Sequence, residues 1–80
     1  MIIDVRDKDE YDNGHIESSV NISLSDIMSG VLPNCGKDEK IILCCISGGR
    51  SGRAKDILES AGFTNVENGG GVRDLKARDF

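Results

Sequence analysis

No apolar run in this 80-residue sequence approaches the roughly 18–20 residues that a membrane-crossing helix needs, and the longest is Ile41–Ile46. No basic segment leads into an apolar one at the start, so no export signal is visible. Met1 runs directly into Ile2-Ile3-Asp4-Val5, which reads as a strand already under way. Cysteines number three, Cys35, Cys44 and Cys45, and an odd count is a poor disulfide framework. There is no C-x-x-C pair and the single histidine, His15, is remote from all three, so no structural metal is expected. Free thiols fit a reducing compartment, which makes a cytoplasmic location the expectation and a periplasmic one, after removal of a leader, the alternative. Basic residues are outnumbered, 10 against 14, and the net charge of −4 argues against nucleic acid as the main partner. Neither a membrane nor a repeat or linker is indicated.

What remains is a small globular chain. Hydrophobic residues make up 38% and charged residues 30%, a balance that disordered chains do not show. The length holds one compact core, so residues 1–80 are read as a single domain, expected to be monomeric. The charge is uneven. Residues 1–30 carry seven acids against two bases, while residues 31–80 carry eight bases against seven acids. Arg50, Arg53 and Lys55 cluster, and a local basic patch on an acidic protein suits a small anionic ligand better than a polymer.

The periodicities predict strands alternating with helices. Met1–Val5 reads as a strand, Asp7 caps a short helix through Tyr11, and Asn13-Gly14 stops it. Val20–Ile22 reads as a second strand. Ser23 or Ser25 caps a helix whose Leu24, Ile27, Met28 and Val31 fall at helical spacing and are expected in the core. Pro33–Gly36 is turn chemistry and places Cys35 in an exposed turn. Lys40–Cys44 has the continuous apolar character of a buried central strand of a parallel sheet. Ser51–Ala61 reads as a helix with Ala54, Ile57, Leu58 and Ala61 on one face and Gly62 at its end. Asn65–Glu67 is a short strand, Asn68–Gly71 a glycine turn, and Val72–Ala77 a closing helix. The pattern gives an α/β fold: a central parallel β-sheet of about four strands flanked by helices.

The segment Cys45-Ile46-Ser47-Gly48-Gly49-Arg50-Ser51 joins the apolar strand to the long helix. In open α/β sheets, ligands bind outside the carboxyl ends of the strands. A loop with two glycines beside a helix N-terminus can turn successive backbone N–H groups inward and cradle an anion. A cysteine at its base is expected to have a lowered pKa, favoured by those dipoles and by Arg50. Such a thiolate is a nucleophile that needs no histidine base. The competing reading makes the cysteine a small buried hydrophobe and Gly48-Gly49 an ordinary turn.

Ile3-Asp4-Val5-Arg6, Glu10-Tyr11, Gly14-His15-Ile16-Glu17 and Val20-Asn21-Ile22 resemble the opening of a rhodanese domain. The loop Cys45–Ser51, the helix 52–58 and the tail 62–71 continue the resemblance in order, which is with the small single-domain thiosulfate sulfurtransferases. The chain departs from the family pattern at Ser18-Ser19, where small apolar residues or a glycine–alanine pair are usual, and at Ser23, where proline is usual. The resemblance implies a small rhodanese-like domain that needs no metal or organic cofactor. It implies Cys45 as the catalytic residue, carrying sulfane sulfur as a persulfide from an anionic donor such as thiosulfate to cyanide or a thiol acceptor. It also implies that the backbone amides from Ile46 through Ser47, Gly48 and Gly49 to Arg50 hold the terminal sulfur. Arg50 attracts and orients the donor, and Ser51 caps the helix and can donate to the anion.

Two other functions are written in the same segment. Counted from Cys44, five residues separate cysteine from Arg50, the wider spacing of cysteine phosphatases. The continuous strand Ile41–Cys44 and the glycine three places after Cys45 favour Cys45 instead. A non-catalytic persulfide carrier or binding module is the third reading. His15 is expected to tie its turn to neighbouring backbone, and Arg6 is expected to pair with Glu10 four residues on.

Overall fold

The computed structural model describes residues 1–78. Eight elements follow one another: β1 (Ile2–Asp4), α1 (Lys8–Asp12), β2 (Ser19–Asn21), α2 (Leu24–Met28), β3 (Ile41–Cys45), α3 (Gly49–Ser60), β4 (Val66–Gly71) and α4 (Val72–Lys76). The four strands form one parallel sheet in the order β2-β1-β3-β4. This is the α/β architecture expected from the alternation of apolar strands and amphipathic helices.

β3 is central and buried at all five positions, because helices cover both of its faces. Successive strand residues point to opposite faces. Ile41, Leu43 and Cys45 therefore pack with Ile3, Val5, Ile27, Ala54, Leu58 and Phe63, whereas Ile42 and Cys44 pack with Ile2, Ile16 and Leu75. The first cluster lies under α2 and α3, the second under α4.

Helix ends explain most boundaries. Ser23 Oγ accepts the Asp26 N–H at 3.2 Å and starts α2. Glu10 Oε1 accepts the Asp7 N–H at 3.1 Å, half of a capping box on α1. At the end of α3, Gly62 takes φ +101°, and the Phe63 N–H reaches the Leu58 carbonyl at 3.1 Å, the Schellman closure that lets Phe63 fold back onto the core.

Several sequence expectations are corrected. α2 stops at Met28, and Gly30 turns the chain at φ +106°, so Val31 leaves the helical phase. Met28 is 57% exposed and Val31 46%, rather than core. The predicted turn Asn68–Gly71 is instead the second half of β4. Its glycines serve close approach: a Cβ on Gly69 would sit 2.8 Å from Ile42 Cγ2, and one on Gly71 would collide with the Ile46 carbonyl oxygen. Cys35 is half-buried against the larger cluster, not exposed. Arg6 does not pair with Glu10. Its Nη2 lies 2.7 Å from Asp4 Oδ2 and donates to the Gly14 carbonyl at 2.8 Å. Residues two apart on extended chain share a side, which brings Asp4 and Arg6 together. The Arg6 Nε and backbone N–H also bond the same carboxylate, so both oxygens of the buried Asp4 are hydrogen-bonded.

Candidate active site

Cys45 is the last residue of β3, opposite Gly71 of β4 across an irregularity in the strand register. Leu43, Cys44 and the residues before them follow the pleat; after Cys45 the chain leaves the sheet and turns sharply into α3. The turn is short because Gly48 adopts φ +93°, a left-handed conformation that glycine takes without steric cost, and α3 begins at Gly49, two residues earlier than the spacing predicts.

That turn folds the backbone over the sulfur. The Gly48 N–H donates to Cys45 Sγ at 3.0 Å, and Ser51 Oγ lies 3.5 Å from the same atom. Cys45 is only 1% exposed, and burial alone pushes its thiol upward. The Ser51 hydroxyl and the backbone N–H groups of Ser51, Ser47 and Gly48 outweigh burial and lower the thiol from 9.0 to about 7. The lowered pKa expected from the loop is present, but its leading causes are the hydroxyl and the amides rather than the expected Arg50.

Asn68, on β4, holds this arrangement and has no counterpart among the residues picked out from sequence. Its Oδ1 accepts the Ser51 hydroxyl at 2.6 Å and the Gly70 N–H at 3.0 Å, while its Nδ2 donates to the Gly48 carbonyl at 3.0 Å. One exposed amide thus ties the helix residue beside the sulfur and the turn above it to a neighbouring strand.

The structure places the other candidates as follows. Ser47 and Gly49 are exposed on the rim, and Ile46 is 64% exposed despite following a buried cysteine. Ser51 is fully buried under the turn. Arg50 is part-buried, and its guanidinium meets Glu10, with Nη1–Oε1 at 2.7 Å and Nη2–Oε2 at 3.0 Å. The expected anion receptor is therefore already bound to a carboxylate 40 positions earlier, and the Arg50 bond holds the Glu10 carboxyl down at about 2.

Cys44 belongs to the other face. It is buried among Ile2, Ile16, Ile42 and Leu75, and burial, with the nearby Asp4 carboxylate, pushes its thiol up to about 12. A phosphatase nucleophile at Cys44 would have to face the loop, and the pleat turns it away. His15 Nδ1 lies 2.7 Å from the Tyr11 carbonyl, and its ring stacks on Tyr11 at 3.7 Å, while Tyr11 Oη donates to the Ser19 carbonyl at 2.6 Å. His15 thus braces its turn, as expected from sequence. Among the described residues no group of three or more His, Cys, Asp or Glu side chains converges to hold a metal ion, and no helix is long and apolar enough to cross a membrane.

Comparison with known proteins places this loop and sheet among related chains. The thiosulfate sulfurtransferase PspE of Escherichia coli (strain K12) is 36% identical over 76 residues, which span 91% of this chain and 71% of that protein. Protein HIGH ARSENIC CONTENT 1 of Arabidopsis thaliana is 35% identical, and the match spans 86% of this chain but only 47% of that protein. Among solved structures, a rhodanese with anions from E. coli superposes with a TM-score of 0.78 at 36% identity, covering 91% of this chain and 87% of that one. The human single-domain sulfurtransferase TSTD1 superposes at 0.82 with 22% identity, a likeness of fold. The model of the rhodanese-like domain matches residues 1–76, from β1 through the end of α4. Fold and sequence thus converge, and the chain belongs to the rhodanese-like family.

Proposed function

We propose that this domain is a thiosulfate sulfurtransferase that carries sulfane sulfur on Cys45. The observation that carries the reading is the Gly48 N–H directed onto Cys45 Sγ at 3.0 Å, in a turn that lowers the thiol to about 7 without a histidine. The resemblance of the chain to PspE supports the choice of donor.

In the first half-reaction the Cys45 thiolate attacks the outer sulfur of thiosulfate. A sulfur–sulfur bond forms to Cys45, the sulfur–sulfur bond of thiosulfate breaks, and its electron pair leaves on sulfite. The product is a Cys45 persulfide, whose terminal sulfur bears the negative charge. In the second half-reaction cyanide or a thiolate attacks that terminal sulfur, giving thiocyanate or a new persulfide and returning the Cys45 thiolate. The turn from Ile46 through Ser47, Gly48, Gly49 and Arg50 presents backbone N–H groups to this charge, and the Ser51 hydroxyl joins them when its proton turns from Asn68 Oδ1 to the sulfur. Such preorganised donors stabilise an anion without reorganising during the reaction.

Intact-protein mass spectrometry after incubation with thiosulfate, followed by peptide mapping, tests this directly. One added sulfur on the Cys45 peptide, removed by cyanide, is the expected result. No added sulfur, with hydrolysis of an aryl phosphate instead, would move the protein to the phosphatases. Inertness in both assays would leave a module that binds without turnover.

A further inference from the structure

The sulfurtransferase reading treats Arg50 as the receptor for the donor, yet each terminal nitrogen of Arg50 already gives an N–H to Glu10. Nη1 and Nη2 each bond one oxygen of Glu10, at 2.7 and 3.0 Å. Glu10 is itself anchored, because its Oε1 also accepts the Asp7 N–H at 3.1 Å. The carboxyl, held at about 2 by Arg50, keeps its charge at any working pH. The Cys45 thiolate and Arg50 also attract one another, so one guanidinium faces two anionic claims, from α1 and from the sulfur site.

On these grounds, and resting on the sulfurtransferase reading, we propose that Glu10 is a specificity-determining residue that competes with the donor anion for Arg50 and weakens the binding of doubly charged donors, thiosulfate included. A dianion entering the turn must either displace Glu10, breaking two charge-assisted hydrogen bonds, or share the guanidinium beside a carboxylate that repels it. A sulfane donor of lower charge, held through its sulfur by the backbone N–H groups, escapes most of that penalty. Glu10 acts on binding through Arg50, and the chemical step at Cys45 is untouched.

The test uses inorganic sulfate, an unreactive dianion, to protect Cys45 from the neutral alkylating agent iodoacetamide. The half-protecting concentration is measured for the wild type, Glu10→Gln, Arg50→Ala and the double variant. Glu10→Gln keeps an oxygen for the Asp7 N–H while removing the charge and one of the two oxygens that accept from Arg50. The expected result is a fall of about fivefold in Glu10→Gln, the upper range for an exposed ion pair, and no further change when Glu10→Gln is added to Arg50→Ala. No fall, an equal fall in the Arg50→Ala background, or no protection by sulfate in any variant overturns the proposal. So does a lowered Tm in Glu10→Gln with unchanged protection, which would make the pair a tie between helices. Mass gain of the wild type with thiosulfate is read separately. Absence of that gain with the sulfate pattern intact would sink the sulfurtransferase reading and leave Glu10 as the gate of an anion site.

Discussion

Cys44 and Cys45 are adjacent in sequence and opposite in chemistry. One pleat apart, the first thiol is pushed up to about 12 in an apolar cluster and the second is drawn down to about 7 under a turn of N–H groups. The rate of iodoacetamide reaction at Cys45, followed by peptide mapping, is expected to rise with pH through about 7, while Cys44 stays unmodified. Cys45→Ser is expected to abolish sulfur loading. Cys44→Ser is expected to retain it and instead cost about 1–3 kcal/mol of stability, because it buries a hydroxyl among aliphatic side chains. Ser51→Ala removes the leading stabiliser of the thiolate while leaving Asn68 bonded to Gly70, so the Cys45 titration is expected to move up toward the ordinary thiol value. The linkage has a definite sign. A folded value below the ordinary thiol value of 9.0 means the thiolate adds stability that is fully present above about pH 9 and is lost as pH falls through about 7.

At the scale of elements, the site depends on how closely β4 approaches the turn after β3. Gly71→Ala places a methyl group against the Ile46 carbonyl oxygen, so either β4 or the turn must move. The expected outcome is a Cys45 titration shifted toward the ordinary thiol value and slower sulfur loading, with the circular dichroism of the fold retained. This approach was invisible in the sequence. Three consecutive glycines carry no strand propensity and read as a turn, and only the distance to a neighbouring strand explains them. By contrast, β3, α3 and the loop between them were legible, because an apolar run, a glycine pair and a 3.6-residue period are local signals. The two side chains that hold the site together, Glu10 and Asn68, were missed as such for the opposite reason. Glu10 meets Arg50 across 40 positions and Asn68 meets Ser51 across 17, and no local pattern encodes those meetings. Val31 and Met28 misled because helical spacing continues past a helix that Gly30 has already ended.

For the whole molecule, one small core must hold four strands and four helices. Leu58 is fully buried at the junction of α3 and the sheet, and Leu58→Ala is expected to cost about 2–5 kcal/mol in urea unfolding. Against a total stability of about 5–15 kcal/mol, that is a large share for one side chain. Charge acts at the same scale through the acidic half of the chain. The Glu10 carboxyl is lowered from 4.5 to about 2, so the stability its pairing adds is full above pH 4.5 and is lost as pH falls through about 2. The Tm difference between wild type and Glu10→Gln is therefore expected to be flat above pH 4.5 and to shrink below it.

The groups around Cys45 come from widely separated stretches of chain, with Gly48 and Ser51 beside it but Asn68, Gly70 and Gly71 a full helix later. During synthesis the sulfur emerges well before the strand that completes its surroundings. The groups that lower the thiol, Ser47, Gly48 and Ser51, are already local to the sulfur. What β4 adds is the brace, because Asn68 then bonds Ser51 and the Gly48 carbonyl. The turn around the nucleophile is therefore locked only when the last strand is in place.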